Sequence, residues 1–181
     1  MAEPRKESEE YFEVVNQEGE ILGLAPRSVC HANPSLIHRV IHVLVFNNAG
    51  LLLLQKRALS KDIQPGKWDT SVGGHLAVGE TFEAAAYREM EEELSIQDVP
   101  VHYLYQYIWR TEVETELVRT FYCSFNGKIF HNRDEIEEVR FWDMDSLLSQ
   151  VDTDLFTPNL REELQRYVCW KRLNNQSREK E

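Results

Sequence analysis

A chain of 181 residues that is 42% hydrophobic has room for one domain with a full core. Its net charge of −11 argues against a nucleic-acid backbone or an anionic membrane as the main partner, and an anionic substrate would need local cations, either bound metal or well-placed Lys and Arg. The scattered Cys30, Cys123 and Cys169 make neither a disulfide framework nor a zinc finger, the charged opening is no signal peptide, and no apolar run approaches the roughly 18 residues of a membrane span, so a reducing, cytoplasmic setting is the simplest expectation.

Residues 1–10 and 174–181 are polar and expected to be loose ends around a single domain over residues 11–173, with no linker or repeat inside it. Tyr11 to Val15 and Ile21 to Ala25 read as a hairpin, and Pro26 to Asn33 as a short helix or turn carrying Cys30 and His31. His38 to Phe46 is strongly β-prone, and Asn47 to Gly50 turns it into Leu51 to Arg57. A loop with Pro65, Gly66 and Trp68 leads to the pair Gly73 and Gly74; Gly79 and Glu80 lead into Thr81, the expected N-cap of a helix. Val101 to Val113, Leu117 to Phe125 and Val139 to Trp142 are strand candidates. Asp143 to Val151 and Pro158 to Leu173 are helices, the last capped by Thr157 with Pro158 in its first turn. Strands and helices interleave without a regular βαβ rhythm, which predicts an α+β fold: a mixed sheet between helices, α/β/α, rather than a doubly wound parallel sheet.

In the helix after Thr81, Glu89, Glu92 and Glu93 stand at i, i+3 and i+4, one turn apart on one side. A solvated acidic face is the ordinary explanation of such a run. Rotating by about 100° per residue, however, places Glu89 above Phe82 and Glu93 near Ala86, so both lean toward the apolar stripe of Phe82, Ala85, Ala86, Met90 and Leu94, while Ala84 and Glu91 point away. Carboxylates crowded against an apolar surface must be neutralised, paired or metal-bound, and clustered hard oxygens favour magnesium or manganese. Arg88, four residues before Glu92, can hold a carboxylate in place.

Gly74, Glu80, Arg88, Glu89, Met90, Glu92, Glu93 and Ile96 resemble the Nudix box, with Ser95 where that family usually has Gly. The departure falls at the helix end, where Gly serves as a C-terminal cap, and bears on cap geometry rather than chemistry. The resemblance implies the α/β/α Nudix fold and a metal-dependent hydrolase. Mg²⁺ or Mn²⁺ would be held by Glu89, Glu92 and Glu93 with the Gly74 carbonyl as a further ligand. Glu92 or Glu93 would take the proton of water or orient it, and Arg88 and Glu80 would hold the site in shape. Glu135 is either a late-sequence base or ligand or, as is more usual for such an acid, solvated in its loop.

A second constellation lies outside the box. His31 and His38 flank Asn33 and Pro34, His75 follows the glycines, and Glu114 and Glu116 alternate along a strand. Singly each has an ordinary explanation. Together with the runs Arg57 to Lys61, Pro65 to Trp68 and Asp69 to His75, they resemble the type I isopentenyl-diphosphate isomerases, a branch of the Nudix fold, over about His31 to Glu116. That resemblance implies a second metal site of His31, His38, His75, Glu114 and Glu116, suited to zinc or manganese, and diphosphate-binding roles for Arg57 and Lys61. It departs at the branch's catalytic cysteine, whose position holds Gly73. The branch's tyrosine would fall near Tyr107 to Trp109, and the branch keeps one helix carboxylate, at Glu93, where this chain also has Glu89 and Glu92. Glycine can be neither acid nor base, so hydrolysis of a diphosphate bond is the expected chemistry. An isomerase-like enzyme and a non-catalytic diphosphate-binding module are the alternatives. The expected partner is a small-molecule diphosphate, a nucleoside diphosphate linked to another moiety or similar, with no nucleic acid and no membrane; the oligomeric state is open, a homodimer included. Tyr105, Tyr107, Trp109 and Trp68 are candidates for a stacking surface.

Overall fold

Ten residues of alternating and β-branched character make β3 (Ile37–Phe46) the axis of the protein in the computed structural model, which describes residues 9–178. Along its length β3 pairs in parallel with β8 (Thr115–Ser124), Ile37 opposite Thr115 and Phe46 opposite Ser124. Its other edge is taken up in turn by β1 (Tyr11–Val15), β6 (Val72–His75) and β4 (Leu52–Arg57), all antiparallel. The hairpin partner β2 (Ile21–Pro26) lies outside β1. β4 pairs with β5 (Trp68–Asp69) and β9 (Ile136–Trp142), and β7 (His102–Arg110) pairs with β8. The sheet is therefore mixed.

Alternation on β3 and β4 sends successive side chains into two apolar layers. Ile41, Val43, Val45 and Leu53 meet Phe82, Ala85, Ala86, Met90 and Leu94 of α2 (Phe82–Leu94). Leu44, Leu52 and Leu54 meet Leu147 of α3 (Met144–Gln150) and Leu160 and Leu164 of α4 (Pro158–Arg178). A four-residue α1 (Arg27–Cys30) follows the hairpin. The architecture is the expected α/β/α sandwich; among the described residues, no helix is long and apolar enough to cross a membrane.

Four elements differ from the sequence reading. β5 puts Trp68, expected in a loop, into a short strand against β4. β6 is a strand, not loop, because its two glycines lie in a ladder with β3, Ile41 opposite Gly74. β9 begins at Ile136, where charged Glu137 and Glu138 mask a strand registered against β4. The chain beyond Asn174, expected to be loose, continues α4 to Arg178, since a polar run without Gly or Pro does not break a helix. The expected loose ends at residues 1–8 and 179–181 lie outside the described residues.

Thr81 caps α2 as expected, its Oγ1 accepting from Ala84 N at 3.2 Å. At the other end Ser95 is left-handed, φ 54°, with Ser95 N–H bonded to Glu91 O and Ile96 N–H to Met90 O. The serine thus occupies a glycine-type cap at a conformational cost. Ser95→Gly is expected to stabilise the protein by about 1 kcal/mol, read as a higher urea midpoint at unchanged m-value.

Candidate active site

Glu93 projects from the buried side of α2 and is 6% exposed, accepting a hydrogen bond from Gln55 Nε2 at 3.2 Å. Burial, reinforced by Glu89 and Glu135, holds its carboxyl well above the usual range. Glu89, one turn earlier, is pushed up to about 7 by burial, against the pull of Arg88. Its carboxylate lies so close to Gly74 that a Cβ at that position would run into it. Glu92 stands at the rim, its side chain 58% exposed.

Arg88 ties these groups together. Its Nε and Nη2 donate to the two oxygens of Glu80 at 2.9 Å each, its Nη1 to Glu89 at 2.7 Å and Glu92 at 3.2 Å, and Nη2 also to the His75 carbonyl at 3.0 Å. One guanidinium thereby fixes helix, preceding loop and β6 in one unit.

These carboxylates open into a chamber of about 480 Å³, which Arg57, Lys61 and Glu135 also line. Arg57 is paired with Asp69 at 3.2 Å and Lys61 with Glu135 at 2.8 Å. Glu135 is thus not merely a solvated loop acid: it closes on the chamber's lysine, and its charge is felt by Glu89 and Glu93.

The histidines gather on the other side of β6. His31 Nε2 is 3.2 Å from His75 Nε2 and 3.6 Å from Glu114; His38 Nε2 is 3.8 Å from Glu116. The parallel register explains the last pair, because His38 on β3 stands opposite Glu116 on β8. Phe12 serves as a backing plate: its ring stacks on His75 at 4.4 Å and on His38 at 5.2 Å. Both nitrogens of His38, which is 0% exposed, and one oxygen each of Glu114 and Glu116 are buried without a hydrogen-bond partner among the described residues. Burial pushes His38 down to about 3 and His75 well below the usual histidine range, and raises Glu116 to about 8. Neutral imidazoles facing desolvated acids, several of their atoms unpaired, make a donor set that fits a cation. The carboxylates of α2 fit one on a different ground: they are clustered hard oxygen donors, and burial raises Glu89 and Glu93.

A second chamber, of about 350 Å³, lies against this cluster and shares Gly73, Gly74, His75 and Arg57 with the first. Of the aromatic candidates, Trp109 lines it. Trp68 is buried edge-on against Trp142 and offers no stacking face, a correction that follows from its place beneath α4. Tyr105 and Tyr107 turn their hydroxyls onto Glu163.

Glu163, His42 and Asn159 were not singled out by sequence. Glu163 is buried and bonded to His42 at 2.7 Å. A signal existed, since Leu160, Glu163, Leu164 and Tyr167 share a helical face.

The chain belongs to the NUDIX family: the NUDIX domain model matches residues 36–167. It is a Nudix hydrolase by that membership and by its relatives. The uncharacterized Nudix hydrolase YfcD of Escherichia coli K12 is 30% identical over 174 residues, covering 96% of this chain and 93% of that protein. The isopentenyl-diphosphate Delta-isomerase of Shigella boydii is 30% identical over 149 residues, covering 79% and 82%. Among solved structures, DR0079 from Deinococcus radiodurans superposes with a TM-score of 0.76 at 23% identity, over 87% of this chain and 98% of that one. Nudix hydrolases generally use divalent metal ions such as Mg²⁺.

The raised acids give a pH dependence with a definite sign. Glu89 and Glu116 hold protons up to about 7 and about 8 in the folded state but only to 4.5 when unfolded, so the stability they confer at low pH is lost as pH rises through the folded values. The lowered His38 and His75 oppose this only below 6.5, their unfolded value. Metal-free protein is therefore expected to melt at a lower temperature at pH 8 than at pH 6.5, and Mg²⁺ to restore more stability at pH 8, where fewer protons compete for the ligands. Thermal melts in chelator and in Mg²⁺ at both pH values check it; a metal-induced shift independent of pH would count against it.

Proposed function

We propose that this Nudix hydrolase cleaves the diphosphate bond of a nucleoside diphosphate linked to another moiety, or of a similar organic diphosphate, using Mg²⁺ or Mn²⁺. The observation that carries the reading is the set of Glu89, Glu92 and Glu93 opening into a chamber that also holds Arg57 and Lys61. The ion would sit on those three carboxylates with the Gly74 carbonyl as a further ligand. When bound, a divalent cation supplies neutralisation of phosphate charge and acidification of water.

The chain's own residues do the rest. Glu92 or Glu93 takes the proton of the attacking water or orients it. Arg88 and Glu80 hold the site in shape, Arg88 through its bonds to Glu89 and Glu92 and Glu80 through its two bonds to Arg88. Arg57 and Lys61 grip the outer phosphate, which requires each to give up part of its pairing with Asp69 or Glu135. The second site, of His31, His38, His75, Glu114 and Glu116, holds zinc or manganese; its unpaired buried nitrogens support that assignment.

The chemistry is tested by assaying nucleoside diphosphate compounds with Mg²⁺ or Mn²⁺ beside a helix-carboxylate variant, Glu92→Gln. Phosphate-containing products from the wild type and a large loss in the variant are expected; equal rates would remove Glu92 from the chemistry. The isomerase-named relative keeps a second reading open, and double-bond migration in isopentenyl diphosphate, followed by NMR, would establish it.

A further inference from the structure

His42 and Asn159 line the second chamber, and behind them lies a buried network that the proposed hydrolysis does not use. Glu163, from α4, is 0% exposed, and four side chains close on its carboxylate: His42 Nδ1 at 2.7 Å, Tyr105 O–H at 2.6 Å, Tyr107 O–H at 2.8 Å and Thr120 O–H at 3.1 Å. A carboxylate so saturated has no freedom to turn, and it locks the ring of His42. That ring lies against the backbone of Gly73, where a Cβ would stand 3.3 Å from His42 Cδ2. Its remaining nitrogen, Nε2, is 3.1 Å from the Asn159 side-chain amide.

His42 therefore occupies one end of the Asn159 amide. The other end, Oδ1, is buried and has no hydrogen-bond partner among the described residues, although Asn159 lines the chamber. With His42 protonated its Nε2 donates, so the amide turns its oxygen to the ring and its NH2 becomes the unmatched end; either way round, one end of the amide is left free. An unmatched buried amide end is costly, so a ligand able to bond it gains on entry and a hydrocarbon does not. Trp109 and Val113, at the chamber's edge, give a flat ring or the face of a sugar an apolar surface to rest on.

We propose that Asn159, oriented by the Glu163–His42 pair, is the specificity-determining residue of the second chamber, reading a hydrogen-bonding group of a glycosyl or ribosyl kind on the non-phosphate half of the substrate and rejecting a hydrocarbon chain. Asn159 is the contact residue; His42 and Glu163 are positioning residues. The inference rests on the hydrolase reading above and deepens it by naming the substrate class. A site built to hydrogen-bond its substrate discriminates strongly against an analogue without the group, because its own polar atoms are left unpaired.

The test uses ADP-ribose, UDP-glucose and geranyl diphosphate with the Mg²⁺-loaded full chain. Wild type is expected to favour the better of the two sugar compounds over geranyl diphosphate by about 100-fold or more in kcat/KM. Asn159→Leu should lower kcat/KM for that compound by roughly 10–100-fold, mainly through KM, without lowering the value for geranyl diphosphate. His42→Gln, able to bond both Glu163 and Asn159, should keep most of the discrimination that His42→Phe loses. Equal kcat/KM for the two classes in wild type, or no change in Asn159→Leu, overturns the inference and leaves hydrolysis standing. If none of the compounds turns over, the hydrolase reading fails instead, and the same comparison made as dissociation constants by calorimetry decides the inference.

Discussion

Glu93→Gln is expected to lower the rate of diphosphate hydrolysis on the order of 10³-fold and, at the same time, to raise the melting temperature of the metal-free protein. The two effects share a cause. Glu93 is 6% exposed, and burial holds its carboxyl well above the usual range, so near neutral pH the ionised form is a charge the metal-free fold accommodates at a cost. Glutamine keeps the shape and an oxygen for Gln55 Nε2, removes that charge, and can neither bind a dication as strongly nor accept a proton. Each kcal/mol recovered corresponds to roughly 2–4 °C for a chain of this size. The sign follows from linkage: a raised folded-state pKa contributes stability at low pH that is lost as pH rises, so the gain from Glu93→Gln should be larger at pH 8 than at pH 5. Rates with saturating Mg²⁺ and melts in chelator check both halves. A variant that is slow because it is misfolded would melt lower, the opposite of this expectation, and a variant as fast as wild type would remove Glu93 from the chemistry.

That trade explains why the helix was legible in the sequence. Like charges at i, i+3 and i+4 leaning toward an apolar stripe contradict the demands of folding, and such contradictions mark function. The same logic would have reached Glu163, an acid in the Leu160, Leu164 and Tyr167 stripe of α4, but a single acid in a charged helix reads as solvated until its partner is known. That partner, His42, is 121 residues away on β3, and no local spacing reports it. The Gly73–Gly74 pair shows the complementary limit. Glycines suggest a loop, whereas here the absent Cβ makes room for the Glu89 carboxylate, and β3 supplies the ladder that makes the segment a strand. The histidine cluster was readable as a set by family resemblance, but its backing by Phe12 depends on the β1–β3 pairing, Val14 opposite His38, which sequence alone does not dictate.

His42→Leu should cost the fold about 3–5 kcal/mol, the penalty for removing one member of a buried ion pair. Burial by itself would lower the histidine and raise the acid, yet the 2.7 Å hydrogen bond and mutual attraction outweigh it, raising His42 and lowering Glu163, so the pair is held as imidazolium and carboxylate. Leucine leaves the carboxylate with only hydroxyl donors, from Tyr105, Tyr107 and Thr120, in a site without water access. Glu163→Gln should cost less, because it removes the charge that needed the partner while keeping an acceptor for a tyrosine hydroxyl. The double change His42→Leu/Glu163→Leu should recover part of the loss and no more: an apolar pair can replace an ionic one, but the O–H groups of Tyr105, Tyr107 and Thr120 are then left without that acceptor, each costing about 1–3 kcal/mol. Adding Tyr105→Phe and Tyr107→Phe to that double variant should return most of the remainder. Urea midpoints across the series read the order directly, with wild type above Glu163→Gln and Glu163→Gln above His42→Leu. A His42→Leu protein as stable as wild type would show that the imidazole carries no charge in the fold, and that Glu163 is held by its hydroxyl donors alone.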